Sequence, residues 1–130
     1  MKYIVMGDPI PLARPRYTNR HIWDSQKQTK LIWSLELQKQ NISKVLLAGP
    51  LHLDVCFYFA VPKVMSIKRR ATIGSSFMFF RPDLDNLIKF VKDVGNKILY
   101  NDDCQICNIS AKKLYDDGNG PRTEFTLEKI

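Results

Sequence analysis

A chain of 130 residues, 45% hydrophobic and 25% charged, is long enough for one buried core and too apolar for a disordered chain, so residues 1–130 read as a single domain. The net charge of +7 points to a polyanionic partner, nucleic acid before an anionic surface. Three cysteines with no secretory segment ahead of them exclude a disulfide framework, and no apolar run is long enough for a bilayer, so a cytoplasmic protein with reduced thiols and no membrane partner is expected.

Lys2 to Met6 reads as a first strand, ended by Gly7-Asp8-Pro9-Ile10-Pro11. Leu12 to Tyr17 is an extended loop in which Arg14 and Arg16, two apart, project together as candidate phosphate contacts. Asp24 or Ser25 caps a helix whose apolar face is Leu31, Ile32, Leu35, then Ile42, Val45 and Leu46, with Gly49-Pro50 as the stop. Trp23 and Trp33 read as packing residues. Leu51 to Ala60 alternates Leu51, Leu53, Val55, Phe57 and Phe59 onto one face and is the clearest strand; His52 falls on its other face and Cys56 reads as a small buried residue.

Residues 63–80 show no clean period and are expected to be a long loop. Its Lys68, Arg69 and Arg70 are candidate DNA contacts, and Phe77 to Phe80 is either a stacking surface for an unpaired base or the start of the next core element. Asn86 to Leu99 is the second helix, with the stripe Leu84, Leu87, Ile88, Val91, Val94 and Ile98. Ile106 to Tyr115 and Thr123 to Ile130 are two last strands about the turn Asp116 to Pro121. Cys104 and Cys107 have zinc-like spacing but no second pair, and do not read as a zinc site. The sum is an α+β fold, a mixed or antiparallel sheet of about four strands packed with two main helices.

Four carboxylates, those of Asp83, Asp85, Asp102 and Asp103, stand out against the basic background. Asp83 and Asp85 flank Leu84 at the helix start, Lys89 lies one turn on, Asp93 another turn on, and Asp102-Asp103 follow the helix. Hard oxygen donors of this kind suit magnesium, and a lysine beside them suits phosphate. Spacing alone favours a plainer account in which Asp83 or Asp85 caps the helix and Asp102-Asp103 makes a turn. Asp103 also starts about 20 Å of helical rise away from Asp83, so the chain must fold back, or a second subunit must supply the match.

The run Arg81-Pro82-Asp83-Leu84-Asp85-Asn86-Leu87-Ile88-Lys89, with Asp93 and Asn101-Asp102-Asp103 behind it, resembles the signature of the RusA-type Holliday junction resolvases. Gly7-Asp8-Pro9-Ile10-Pro11 through Arg14-Pro15-Arg16 resembles that family's opening, and the likeness spans most of the chain. It implies a divalent-metal-dependent, structure-selective endonuclease that resolves four-way DNA junctions by paired cuts in recombination and repair. It also implies a homodimer that uses Mg2+, with Mn2+ able to substitute, and no small-molecule cofactor.

Carried over by position, Asp83, Asp85 and Asp103 bind metal with Asp102 beside them, Lys89 acts on the phosphate, and Asn86 and Asp93 support. Arg14, Arg16, Lys68, Arg69, Arg70 and Arg81 grip DNA. The chain departs from the family pattern at Ala13, where a lysine is usual, and at Trp23-Asp24-Ser25, where an aromatic-Thr-Pro is usual. The alternatives are a non-catalytic basic DNA-binding dimer, or a nuclease of forks or flaps.

Overall fold

Alternation in Leu51–Phe59 does what its pattern predicts: Leu51, Leu53, Val55 and Phe57 are buried on one face of the central strand. The computed structural model describes residues 1–130, apart from the side chain of Arg16. Its strands are β1 (Lys2–Met6), β2 (Arg16–Thr18), β3 (His21–Trp23), β4 (Leu51–Phe59), β5 (Ile106–Tyr115) and β6 (Arg122–Lys129). Four of them form a sheet in the order β1-β6-β4-β5, in which only β4 and β5 are parallel. β2 and β3 make a separate two-stranded hairpin. The helices are α1 (Lys27–Gln40), α2 (Ile67–Ile73) and α3 (Leu84–Gly95), and none is long and apolar enough to cross a membrane. This is the expected α+β architecture with a mixed sheet.

α3 carries the core. Leu87, Phe90, Val91 and Val94 are buried against Val55, Phe57, Phe125 and Leu127 of the sheet. It spans Leu84–Gly95 rather than the expected Asn86–Leu99. It stops at Gly95 because Tyr100 folds back there, its hydroxyl donating to the Lys92 carbonyl at 2.6 Å. A Cβ at Gly95 would lie 2.5 Å from that hydroxyl oxygen, so close packing, not helix propensity, requires the glycine.

α1 corrects the sequence reading. Leu31, Ile32 and Leu35 are exposed, as are Ile42, Val45 and Leu46 beyond the helix; the buried residues are Trp33 and Leu37. Trp33 packs edge-on against Phe90, ring centroids 5.2 Å apart. Polar partners fix the rest of the inner side: Lys30 reaches Asp93 at 3.1 Å, and the Gln40 amide donates to the Ile4 carbonyl at 2.6 Å and accepts from its N–H at 3.0 Å. The helix ends at Gln40, well before Gly49, where the buried Asn41 turns its amide to the Ile98 carbonyl at 3.0 Å. Trp23, expected to pack, is exposed on β3, and His52 is half-buried.

The stretch 63–80 is more regular than its composition suggests. α2 lies within it, its start capped by Ser66, whose hydroxyl accepts from the Arg69 N–H at 3.2 Å. The chain then runs along the free edge of β5. The Ser75 N–H donates to the Tyr115 carbonyl at 3.1 Å, the Tyr115 N–H to that of Ser76 at 2.9 Å, and the Met78 N–H to that of Lys113 at 3.0 Å. Of Phe77 to Phe80, only Met78 is buried.

Candidate active site

The two halves of the acidic signature lie at opposite ends of α3. At its start, Asp83 occupies the N-cap position with extended geometry, φ −66° and ψ 140°, yet its carboxylate makes no capping hydrogen bond. Asp85 lies in the first turn, and Lys89 Nζ stands 3.8 Å from its carboxylate. Asp83, Asp85 and Lys89 are all exposed, while Leu84 is half-buried between the two acids and joins the core, as its place between them predicts. The plainer account of Asp83 as a cap therefore fails at the hydrogen bond that defines a cap.

Two anchors hold this end. Lys113 on β5 donates from Nζ to the Phe80 carbonyl at 2.6 Å and to the Pro82 carbonyl at 2.7 Å, spanning the cis Arg81–Pro82 peptide just ahead of Asp83. The register that pairs Lys113 with Phe57 turns its side chain to the helix-covered face. On the other flank the Leu12 N–H donates to the Asn86 carbonyl at 2.9 Å. The Gln26 amide holds the same loop, donating to the Pro11 carbonyl at 2.8 Å and accepting from the Ala13 N–H at 2.9 Å. Arg14 is thereby brought beside the start of α3. Sequence reasoning missed Lys113. Its signal was present, since it falls in phase with Ile109, Ala111 and Tyr115 as the lone cation on an otherwise apolar face of β5.

Arg14, Lys68, Arg69, Arg70 and Arg81 are exposed, and among the described residues none has a carboxylate within 4.0 Å. Such unneutralised charge is what a phosphate backbone meets. The side chain of Arg16 lies outside the described residues.

At the far end, Asp93 is occupied by Lys30, which also binds Asp24 at 2.6 Å and so ties α1 to α3. The Lys30 bond, first among the causes, holds the Asp24 carboxyl below the usual carboxylate range. Asp102 does cap: it accepts from the Cys104 N–H at 3.0 Å, and Gln105 Oε1 accepts from the Asp102 N–H at 3.0 Å. The Cys104 N–H bond is the main reason that the Asp102 carboxyl is also held low.

Asp103 opens the short 3-10 helix Asp103–Gln105 and is half-buried near Tyr100. The Tyr100 phenol is pushed up by burial, then by the charges of Asp103 and Asp93. About 15 Å of helical rise separates Asp83 from Asp93. Among the described residues, no three His, Cys, Asp or Glu side chains come together around one ion position. The structure therefore joins Asp83, Asp85, Asn86, Lys89, Arg81 and the Arg14 loop at one end, and Asp93, Asp102 and Asp103 at the other. Cys104 and Cys107 are both free and exposed.

The Asp83–Asp85 pair fits a hard divalent cation. Both donors are carboxylate oxygens, both open on solvent, and Asp83 has no capping bond to lose; magnesium is commonly held by one or two carboxylates with several waters retained.

An open carboxylate pair at a helix start of a basic α+β domain, flanked by a lysine and unpaired arginines, is the set of residue types that phosphodiester chemistry through a hard cation calls for. The chain belongs to the RusA endodeoxyribonuclease family: residues 6–128 match the family described as Endodeoxyribonuclease RusA. It is 30% identical to the uncharacterized protein YqaN of Bacillus subtilis (strain 168) over 139 residues, covering 100% of this chain and 96% of that protein. It is 38% identical over 78 residues to the crossover junction endodeoxyribonuclease rusA of Lactococcus phage r1t, covering 59% of this chain and 54% of the phage protein.

Proposed function

We propose that this protein is a divalent-metal-dependent endonuclease that cuts branched DNA, the four-way junction before forks and flaps, as a cytoplasmic homodimer acting in recombination and repair. The observation that carries the reading is Asp83: a carboxylate at a helix start that makes no capping bond, one residue from Asp85 and one turn from Lys89, in a member of a nuclease family.

Asp83 and Asp85 would hold magnesium or manganese, which supplies Lewis-acid polarisation of a phosphoryl oxygen and a bound water of lowered pKa. Lys89 places an ammonium where charge grows on the phosphate during cleavage. Arg14 and Arg81 bind neighbouring phosphates from the two flanks of the helix start, and Lys68, Arg69 and Arg70 extend the grip along α2. Lys113 keeps the residues before Asp83 in place. Asp103 acts on the other copy: the far end of α3 from one subunit lies beside the near end from its partner, with Asp102 setting the turn and Asp93 bracing the helix. A two-fold dimer matches a substrate with near two-fold symmetry that needs paired cuts.

The test is cleavage of a labelled synthetic four-way junction, beside linear duplex, with magnesium and with EDTA. Wild type should nick the junction in pairs only with metal. Asp85→Asn should bind it normally and cut more than about 100-fold more slowly, since even supporting partners of a metal ligand are worth 10- to 100-fold. Asp103→Asn should also be inactive alone, and a mixture of the two variants should regain cutting. Wild-type rates for Asp85→Asn would sink the metal site, and a mixture that stays dead would place Asp103 in its own subunit's site. Tight binding with no cutting by wild type would make the protein a DNA-binding module.

A further inference from the structure

We infer that Phe79 and Phe80 form a stacking platform for one unstacked nucleobase at the branch point of the DNA. The two rings lie against each other, centroids 4.6 Å apart and 24° from parallel, and they are 79% and 60% exposed. Phe77 is 69% exposed, and Val64 and Ile67 are open as well. Together with Met65, Arg69 and Ile73 the rings border a concavity of about 670 Å³. The segment has a core anchor, but it is Met78, so the phenylalanines are not the start of a core element. An apolar patch of this size left to water marks a binding surface.

The platform is held rigidly to the acidic site. The Met78 N–H bonds Lys113 O, and Lys113 Nζ bonds the Phe80 carbonyl, so one residue of β5 grips the segment on both sides of Phe79. Phe80 is three residues from Asp83.

Charge selects the occupant. Residues 55–82 contain five Lys or Arg and no Asp or Glu. A second copy docking here would set these cations against themselves; a strand of nucleic acid brings phosphates for the cations and flat apolar bases for the rings. In linear duplex the bases are stacked inside, whereas a branch point offers one at low cost. The inference rests on the nuclease reading only in taking DNA as the ligand, and it supplies what that reading lacks, a means of telling branched from linear DNA.

The test measures affinity for a four-way junction and for linear duplex of the same sequence, in an Asp85→Asn background so that the substrate stays whole. Phe80→Ala should raise the junction Kd about five- to a hundredfold, the range for loss of one base–aromatic stack, and leave duplex binding within about twofold. Phe79→Ala should act in the same direction, and Phe80→Tyr should keep the preference. Unchanged junction binding, equal losses on both DNAs, or no junction preference in the parent protein would each overturn the platform. So would a Phe80→Ala protein that sediments as a monomer where its parent is a dimer, because a second copy would then be the occupant. Metal-dependent cutting by the wild-type chain is read separately, so the platform and the nuclease can fail independently.

Discussion

Lys113 shows how much one side chain can do at a distance from the chemistry. Its two bonds to main-chain carbonyls at 2.6 and 2.7 Å replace water around backbone that would otherwise be free to turn. Lys113→Met should cost about 1–3 kcal/mol, less than two full charge-assisted bonds because the carbonyls can find water. Its larger effect should be on the site: the metal concentration for half-maximal cutting should rise about tenfold while junction binding stays within about twofold. A metal titration of cleavage checks this, and an unmoved midpoint would reduce Lys113 to a stabilising residue. At this scale the sequence was informative where residue type alone carried the message. That Asp83, Asp85 and Lys89 share the start of α3 was legible from type and spacing, whereas Asp102, read as part of a turn, caps the short 3-10 helix. That Asp83 does not cap was not legible, because a helix start has the same letters whether or not its carboxylate turns inward.

Among the elements, the four strands of the main sheet were the easiest to read, the β2–β3 hairpin was missed in what read as an extended loop, and the helices' faces were the hardest. β4 buries Leu51, Leu53, Val55 and Phe57 in alternation, which burial on a pleated sheet imposes directly. α1 defeated the same logic. Its apolar letters predicted one face, while Trp33 against Phe90, Lys30 against Asp93 and Gln40 against Ile4 chose another. Tertiary partners decide such a face, and they are not local. α2 was hidden because 7 residues, about two turns, are too few to show a period, and its Ser66 cap was the only signal. The end of α3 yields a prediction at this scale. Gly95→Ala must displace the buried Tyr100 ring and break its bond to the Lys92 carbonyl. Overpacking of this kind costs about 1–3 kcal/mol, so the urea midpoint should fall with no change in slope. The buried ring also positions the turn that leads to Asp103, so junction cutting should fall with it.

For the molecule as a whole, the basic balance was legible at once, and its distribution was not. Eight of the 13 acids lie at the ends of α3 (Asp83, Asp85, Asp93, Asp102, Asp103) or in one further cluster about the turn between β5 and β6 (Asp116, Asp117, Glu124). There the buried Arg122 donates to both Asp117 oxygens at 3.0 Å, to Glu124 at 3.2 Å, and lies 3.8 Å from the centre of the Tyr58 ring. Chiefly through its bonds from Arg122, the Asp117 carboxyl is lowered to about 2. An unfolded aspartate titrates near 3.9, about two units higher. The folded group is the stronger acid, so the unfolded state binds the extra proton and stability falls as pH drops. The contribution is complete above about pH 4 and is lost on the way down to about 2. The stability difference between wild type and Asp117→Asn should be constant at neutral pH and shrink through that window, measured by urea unfolding at each pH. A difference that persists to pH 2 would mean that the Arg122 bonds do not depend on Asp117's charge.

The two margins of the main sheet lead to a conclusion about how copies of this chain can meet. The outer side of β5 is taken by Ser75 to Met78 along Lys113 to Tyr115, and the middle outward-facing residue of β1, Ile4, has both its N–H and its carbonyl bonded by the Gln40 amide. A side-chain amide there imitates the strand that would otherwise be recruited. The covered part of β5 is the end beside the acidic site, and ahead of Lys113 its outer side has no strand beside it. A copy that extended this sheet would therefore add to β5 ahead of Lys113 and not to the closed middle of β1, and the break at Ile4 shortens the template on which open-ended stacking into fibrils begins.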